Sequence, residues 1–240
     1  MPITIKPVPT MMTINSFKYL FLFTFLILIQ FNFTYAQKTE SRLRLSGEIE
    51  KDFTKKFNAS LGYEHRFNQN ISVFDKAILE PSVSYDIYKG VRVGAAYRFI
   101  VNQGRNSRAI SHRGRTSAYV RYRYRHDDFV FKLRSQIQYG FDDITYIQLY
   151  YSNELVSRNS LKIEYRWFGT RITPFARYEL FTHLNNPFGI INNQWKLRGG
   201  FNYQLTHKSR ITAQYTYENE FNVPRPMNAH VFALGFRYSL

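Results

Sequence analysis

The sequence predicts an all-β protein: an antiparallel up-and-down transmembrane β-barrel of about ten to twelve strands, following an N-terminal signal peptide. Three observations point there. After Ala36 nearly every segment alternates apolar and polar residues with period two, and no window keeps the i, i+3, i+4, i+7 spacing of a helix. The alternating runs commonly exceed the roughly 9–11 residues that a tilted membrane strand needs, whereas strands of soluble proteins cluster near five or six. Tyr and Phe together number 41, and many fall near the ends of the apolar faces, as interfacial girdles would: Tyr63, Tyr85, Tyr97, Tyr139, Tyr165, Trp167, Tyr203 and Tyr217.

The N-terminal element comes first. Tyr19 to Ile29 is almost unbroken Leu, Phe and Ile, with Lys18 before it and Thr34-Tyr35-Ala36 after a short polar drift. This is the layout of a secretory signal peptide, expected to span 1–36 and to be cut after Ala36, leaving Gln37 first. A single transmembrane anchor is the alternative, but the apolar run is shorter than the roughly 20 residues that span a bilayer. Met12, directly ahead of a compact leader, is an open alternative to Met1 as the start. No Cys occurs, which excludes disulfides, thiolate metal sites, a cysteine nucleophile and a lipid-anchored cysteine. The chain carries 33 basic and 17 acidic residues; loss of Lys6 and Lys18 with the leader leaves 31 against 17, a net +14. That balance favours anionic partners, and for an exported protein these are lipopolysaccharide phosphates or anionic solutes before nucleic acid.

Residues 37–240 form one domain, the expected outer-membrane β-barrel. Strands are expected near 41–52, 56–66, 77–88, 90–101, 111–126, 129–141, 146–167, 171–183, 193–206, 209–220 and 228–240. The two faces separate cleanly in several: Val91, Val93, Ala95, Tyr97, Phe99 and Val101 oppose Arg92, Gly94, Ala96 and Arg98, and Phe129, Phe131, Leu133, Ile137 and Tyr139 oppose Lys132, Arg134, Gln136 and Gln138. Tight connections at Lys55, Lys89-Gly90, His126-Asp127-Asp128, Gly169 and His207 alternate with long ones near Asn70, Gly104, Asp142, Asn186 and Pro224. Short periplasmic turns and longer external loops are the barrel pattern. Eleven segments conflict with the even strand number of single-chain bacterial barrels, so one segment is expected to be misread: 41–52 as a short or periplasmic piece, or 146–167 as two elements. The odd number also puts the N-terminus on the wrong side if every short turn is periplasmic.

A soluble barrel alternates in the opposite sense, apolar within and polar without. Strand length, aromatic placement and the leader favour the membrane barrel. In the last strand Phe232, Leu234, Phe236 and Tyr238 are then expected to face lipid, with Ala233, Gly235 and Arg237 facing the lumen. The final residue is Leu240, where outer-membrane barrels usually end on an aromatic.

His112-Arg113-Gly114-Arg115, the Arg-rich strand Tyr119 to Arg125, Ser160-Leu161-Lys162-Ile163-Glu164-Tyr165 and Pro174-Phe175-Ala176-Arg177-Tyr178-Glu179-Leu180-Phe181 resemble the DUF2490 family over nearly all of the chain after the leader. The resemblance implies a predicted outer-membrane barrel of Bacteroidetes type and no reaction.

The same phase rule assigns the lumen. Arg92, Arg98, Arg113, Arg115, Arg121, Arg123, Arg125, Lys132 and Arg134 fall on the inner face of three consecutive strands, and Glu48, Glu50, Glu64, Glu80, Asp86, Glu154, Glu164, Glu179 and Glu218 point inward elsewhere. Like charges directly opposite on adjacent strands repel, so acid–base pairing is expected to run across the lumen, with arginine forks binding carboxylates bidentately. Glu179 and His183 share a face and invite a hydrolase reading, but no nucleophile motif accompanies them and girdle packing explains them as well. Asp127-Asp128 reads as a tight turn. Gly104-Arg105-Asn106-Ser107-Arg108 is a basic loop that either touches lipopolysaccharide phosphate or is merely solvated. No nucleotide fingerprint or ligand-spaced metal cluster appears, so no cofactor is implied. The expected partners are outer-membrane lipid and lipopolysaccharide, not nucleic acid, and a monomer is expected. Three functions stay open: a structural or loop-binding barrel, a narrow anion-favouring pore, and a membrane-embedded hydrolase.

Overall fold

The computed structural model describes residues 38–103, 110–142, 154–186, 189–224 and 226–240. They form eleven strands and, among the described residues, no helix: β1 (Lys38–Asp52), β2 (Phe57–Asn68), β3 (Val73–Tyr88), β4 (Val91–Gln103), β5 (Ile110–His126), β6 (Phe129–Asp142), β7 (Glu154–Tyr165), β8 (Ile172–His183), β9 (Ile191–Gln204), β10 (Ser209–Glu220) and β11 (Met227–Ser239). Each pairs antiparallel with the one before it, and β1 and β11 close the sheet into a barrel. The expected leader, the loop Gly104 to Arg108 and the first part of the expected strand 146–167 lie outside the described residues.

The expectation of an even strand number does not hold. The segment expected near 41–52 is the 15-residue strand β1, and all eleven expected segments contain a strand. In an odd meander the first and last strands point the same way, so the barrel closes through a parallel pair, running from Lys38↔Met227 to Glu50↔Ser239. Parallel bonds are slanted and slightly weaker per residue. The start of β1 therefore shares one end, the loop end, with the facing ends of β2 and β3, β4 and β5, β6 and β7, β8 and β9, and β10 and β11. Connections 53–56, 89–90, 127–128, 166–171 and 205–208 lie at the other, the turn end, with the close of β11. The connection at Asn70 is only residues 69–72, shorter than 166–171 around Gly169, so the length contrast between the ends is weaker than the sequence suggested.

Directly opposite residues of neighbouring strands share a face, which fixes inside and outside for the whole barrel. On β6, Phe131, Leu133, Ile137 and Tyr139 point out, and Val130, Lys132, Arg134, Gln136 and Gln138 point in. On β11, Phe232, Leu234, Phe236 and Tyr238 are exposed outward, while Arg237 turns inward to Glu48 at 2.6 Å. The outer surface carries an aliphatic band that includes Leu45, Leu61, Leu79, Val83, Val120, Leu133, Ile137, Leu161, Leu197 and Leu234. Aromatic clusters flank it. Trp195, Tyr217, His230, Tyr215 and Phe232 pack together toward the loop end, and Tyr124, Phe131, Phe129 and Tyr165 toward the turn end. Phe131 and Tyr139 are eight residues apart on β6; at ~3.4 Å per residue and a tilt near 40° that is roughly 21 Å, close to the height of a membrane barrel's apolar band.

The tightest turns show their chemistry in single residues. Lys89-Gly90 joins β3 to β4, with Gly90 at φ +83°, its carbonyl accepting from Arg123 N at 2.7 Å, and an added Cβ only 2.6 Å from the Arg123 carbonyl oxygen. Asp127, at φ +49°, opens the two-residue turn 127–128 between β5 and β6, a conformation Asp tolerates better than most residues. Gly90→Ala is expected to cost on the order of 1–3 kcal/mol through left-handed strain together with the clash. Urea-induced unfolding would report it; an unchanged midpoint would show that the turn relaxes freely.

Candidate functional site

The interior is built from rows of side chains that face one another strand by strand. Arg123, Lys132, Lys162, Arg177 and Arg198 lie directly opposite in sequence across β5 to β9. A second row of cations, Arg44, Arg66 and Lys76, crosses β1 to β3. Such rows repel unless acids sit on the diagonals, and they do. Glu164 accepts from Lys132 and Lys162, both at 2.6 Å. Glu179 takes Arg158 at 2.8 Å, Arg198 at 3.1 Å and Arg177 at 3.4 Å. Glu218 takes Arg44 at 2.7 Å, Lys196 at 3.1 Å and Arg42 at 3.5 Å.

Glu179 and Glu218 are 1% and 2% exposed. Each is the shared counter-charge of three partly buried cations, of which Arg42 also meets Glu40 at 3.1 Å, and removing one partner from such a cluster is costly. Glu218, on β10, reaches β1 because its partner on the intervening strand is Ala229, which leaves room above the backbone of β11. Arg115 uses the same device: it faces Gly140 on β6 and extends past it to Glu154 on β7 at 3.9 Å.

The expectation that pairing runs across the lumen is thus corrected. The pairs join residues of the same strand, of neighbours, or of strands one apart. Eleven strands spaced ~4.8 Å apart and tilted near 40° make a barrel roughly 22 Å across between backbones, too wide for one arginine and one glutamate to bridge.

The model of the family described as "Protein of unknown function (DUF2490)" matches residues 45–231. The chain belongs to the DUF2490 family. No curated protein matches it. Among solved structures, this DUF2490 barrel is similar to the β domain of the Bordetella autotransporter BrkA, at 14% identity over 78% of this chain and 85% of that one, with a TM-score of 0.46. It is also similar to the translocator domain of the autotransporter NalP from Neisseria meningitidis, at 12% identity over 75% and 73% of the two chains, TM-score 0.39. A third, outer-membrane expressed OmpT of Vibrio cholerae, shares 12% identity over 70% of this chain and 52% of its own length, TM-score 0.38.

The two halves of the DUF2490 barrel differ inside. A cavity of about 480 Å³ occupies the turn-end half, lined by residues that include Glu48, Arg98, Arg121, Lys162, Arg210 and Arg237. Toward the loop end Gln136, Gln138, Glu179, Glu218 and Val231 are buried, and a second cavity of about 610 Å³ opens at the mouth beside Gln194, Glu220 and Pro224. Of the nine cations expected on the wall, Arg92 binds Asp86 through two bonds of 2.5 and 2.6 Å, Arg98 binds Glu80, and Lys132 binds Glu164. Arg134 lies 3.8 Å from the Tyr119 ring centroid. Arg113, Arg123 and Arg125 are exposed at the barrel mouths rather than enclosed, and Arg125 donates to the Asp127 carbonyl at 3.1 Å. Of the acids, Glu48 and Glu50 meet Arg237, and Glu64 meets Arg66. Absent from the sequence-derived wall are Arg42, Arg44, Arg158, Lys162, Arg177, Lys196 and Arg198. The alternation that marked β4 to β6 marks them too; drawing the wall over three strands left them out. No group of three or more His, Asp or Glu among the described residues is placed to hold a metal ion.

Proposed function

We propose that the mature chain is a monomeric outer-membrane barrel of a Gram-negative bacterium, exported by its cleaved leader. Its interior is closed by its own charges, and it serves as a structural or binding barrel through its ends. The single observation that carries the reading is the pair of buried carboxylates, Glu179 and Glu218, each held by three cations in the loop-end half of the wall. The outward aliphatic band between aromatic clusters supports a lipid surround. Lipid is the partner this surface suits, and lipopolysaccharide the one that exposed arginines at the loop end, such as Arg113, would meet. A hydrolase is not proposed: Glu179 accepts at Oε1 from Arg158 and Arg177 and at Oε2 from Arg198, leaving it engaged rather than free to orient His183.

Planar-bilayer recording tests the closed barrel. The purified chain is expected to show no long-lived open level, whereas steady anion-selective conductance from single molecules would replace this reading with the pore. One observation favours that rival: Arg121 and Arg210 line the cavity with no carboxylate in ion-pair reach among the described residues.

A further inference from the structure

Around one row of the cavity wall, positive charge outruns the acids. Arg92, Arg121 and Arg134 face one another directly across β4, β5 and β6. Asp86 engages Arg92 through both Nε and Nη2. Arg121 has no carboxylate partner among the described residues. Arg134 stacks on the Tyr119 ring, and its Nε is buried with no hydrogen-bond partner. The row continues to Ser160 on β7, which brings no charge, and all four of these side chains together with Tyr119 line the cavity. Three guanidinium groups on adjacent strands therefore share one aspartate.

The wall is shaped as well as charged. Tyr119 lies over Gly94 on β4, where an added Cβ would come within 2.5 Å of the ring. The missing side chain lets the ring lie against the wall, and the ring in turn holds the Arg134 guanidinium by cation–π contact. Holding a guanidinium plane in place lowers the ordering cost of binding a ligand.

We propose that this cavity binds a phosphate-type oxyanion, free or as the head of a small phosphoester, between Arg121 and Arg134, with entry from the turn end. Arginine forks match phosphate oxygens in pairs and stay charged at any working pH. A carboxylate has two oxygens, enough for one fork; a phosphate has oxygens for two forks and a second negative charge for the surplus. The cavity, about 480 Å³, falls within the roughly 300–1,000 Å³ of small-molecule sites, so an organic group fits beside the anion. The site deepens the proposed binding role but needs only the cavity. A barrel that conducts and still binds phosphate would overturn the closed-barrel reading and leave this one standing.

The experiment uses the full chain in nonionic detergent, titrated calorimetrically with inorganic phosphate and with glucose 6-phosphate at constant ionic strength set by chloride. Saturable binding at one site per chain is expected, weakened about tenfold or more in Arg121→Gln and Arg134→Gln and unchanged in Arg125→Gln at the mouth. Tighter binding of the sugar phosphate would identify the ester as the ligand class, and equal or weaker binding the free anion; either supports the site. Absence of saturable binding, or equal binding by the Arg121→Gln/Arg134→Gln double variant, overturns it. Both substitutions remove charge from a like-charged row, so folding is expected to survive. A measurement on the unaltered chain stands beside them: phosphate should protect Arg121 and Arg134, but not Arg125, from phenylglyoxal as mapped by mass spectrometry. Equal modification with and without phosphate overturns the proposal.

Discussion

Glu179→Gln is expected to cost about 3–5 kcal/mol of unfolding free energy, because removing one partner of a buried ion cluster leaves the other charges uncompensated. Here three cations lose their shared carboxylate at once: Arg158, Arg177 and Arg198, with side chains 19%, 28% and 12% exposed. The amide keeps the shape of the carboxylate, so packing is held nearly constant and the lost charge is what is measured. Glu48→Gln supplies the contrast. It too loses an arginine contact, to Arg237 at 2.6 Å, but there the side chains are 41% and 32% exposed and water screens the pair; about 0–1 kcal/mol is expected. Urea titrations of both variants in detergent would show the difference as separated midpoints. Adding Arg177→Gln to Glu179→Gln should recover part of the loss, since one stranded cation is removed and residues in a shared network do not add. If Glu179→Gln and Glu48→Gln shift the midpoint equally, the loop-end half is wet and the closed-barrel reading loses its main support.

The fold was legible wherever each face meets one environment. β6 alternates Phe129, Phe131 and Leu133 with Val130, Lys132 and Arg134 because its two faces meet different surroundings, and that contrast is written residue by residue. Strand direction and turn positions followed from the same signal with Gly90 and Asp127 as punctuation. Closure was less legible. Which strand β1 pairs with depends on strand number and curvature summed over the whole chain, and the rule of even numbers pointed away from the parallel β1–β11 pair. The charged interior was legible by face and not by partner. Glu218 and Arg44 are 174 positions apart and meet only because the barrel closes there and Ala229 leaves a gap. Nothing local to either residue carries that information. The position of the central cavity was equally out of reach, since its lining comes from all but the loop-end positions of strands far apart in sequence, such as Glu48 on β1, Arg121 on β5 and Arg210 on β10.

Leu234→Arg is expected to cost about 2–4 kcal/mol in a lipid bilayer, the second-largest effect. Leu234 is 51% exposed on the outer face of β11. Along that face it lies between His230 and Phe232, which belong to the loop-end aromatic cluster, and Phe236 and Tyr238 toward the turn end. Its cross-strand neighbours, Ala213 on β10 and Leu45 on β1, offer no polar group for a guanidinium to reach. The charge must therefore stay in hydrocarbon or drag water to it. One rung away, Gln214 on β10 points inward to the cavity, opposite Gly200 and Ala233. Gln214→Arg adds a cation to a hydrated space and is expected to stay within about 1 kcal/mol of the parent, the scale of an ordinary substitution outside a packed core. Refolding equilibria in phosphatidylcholine vesicles measure both. A one-residue change of phase exchanges the faces of a strand completely, so the two variants report opposite environments at nearly the same height. If Leu234→Arg were tolerated and Gln214→Arg were the costly change, the outer face would be the wet one and the barrel would not belong in a membrane.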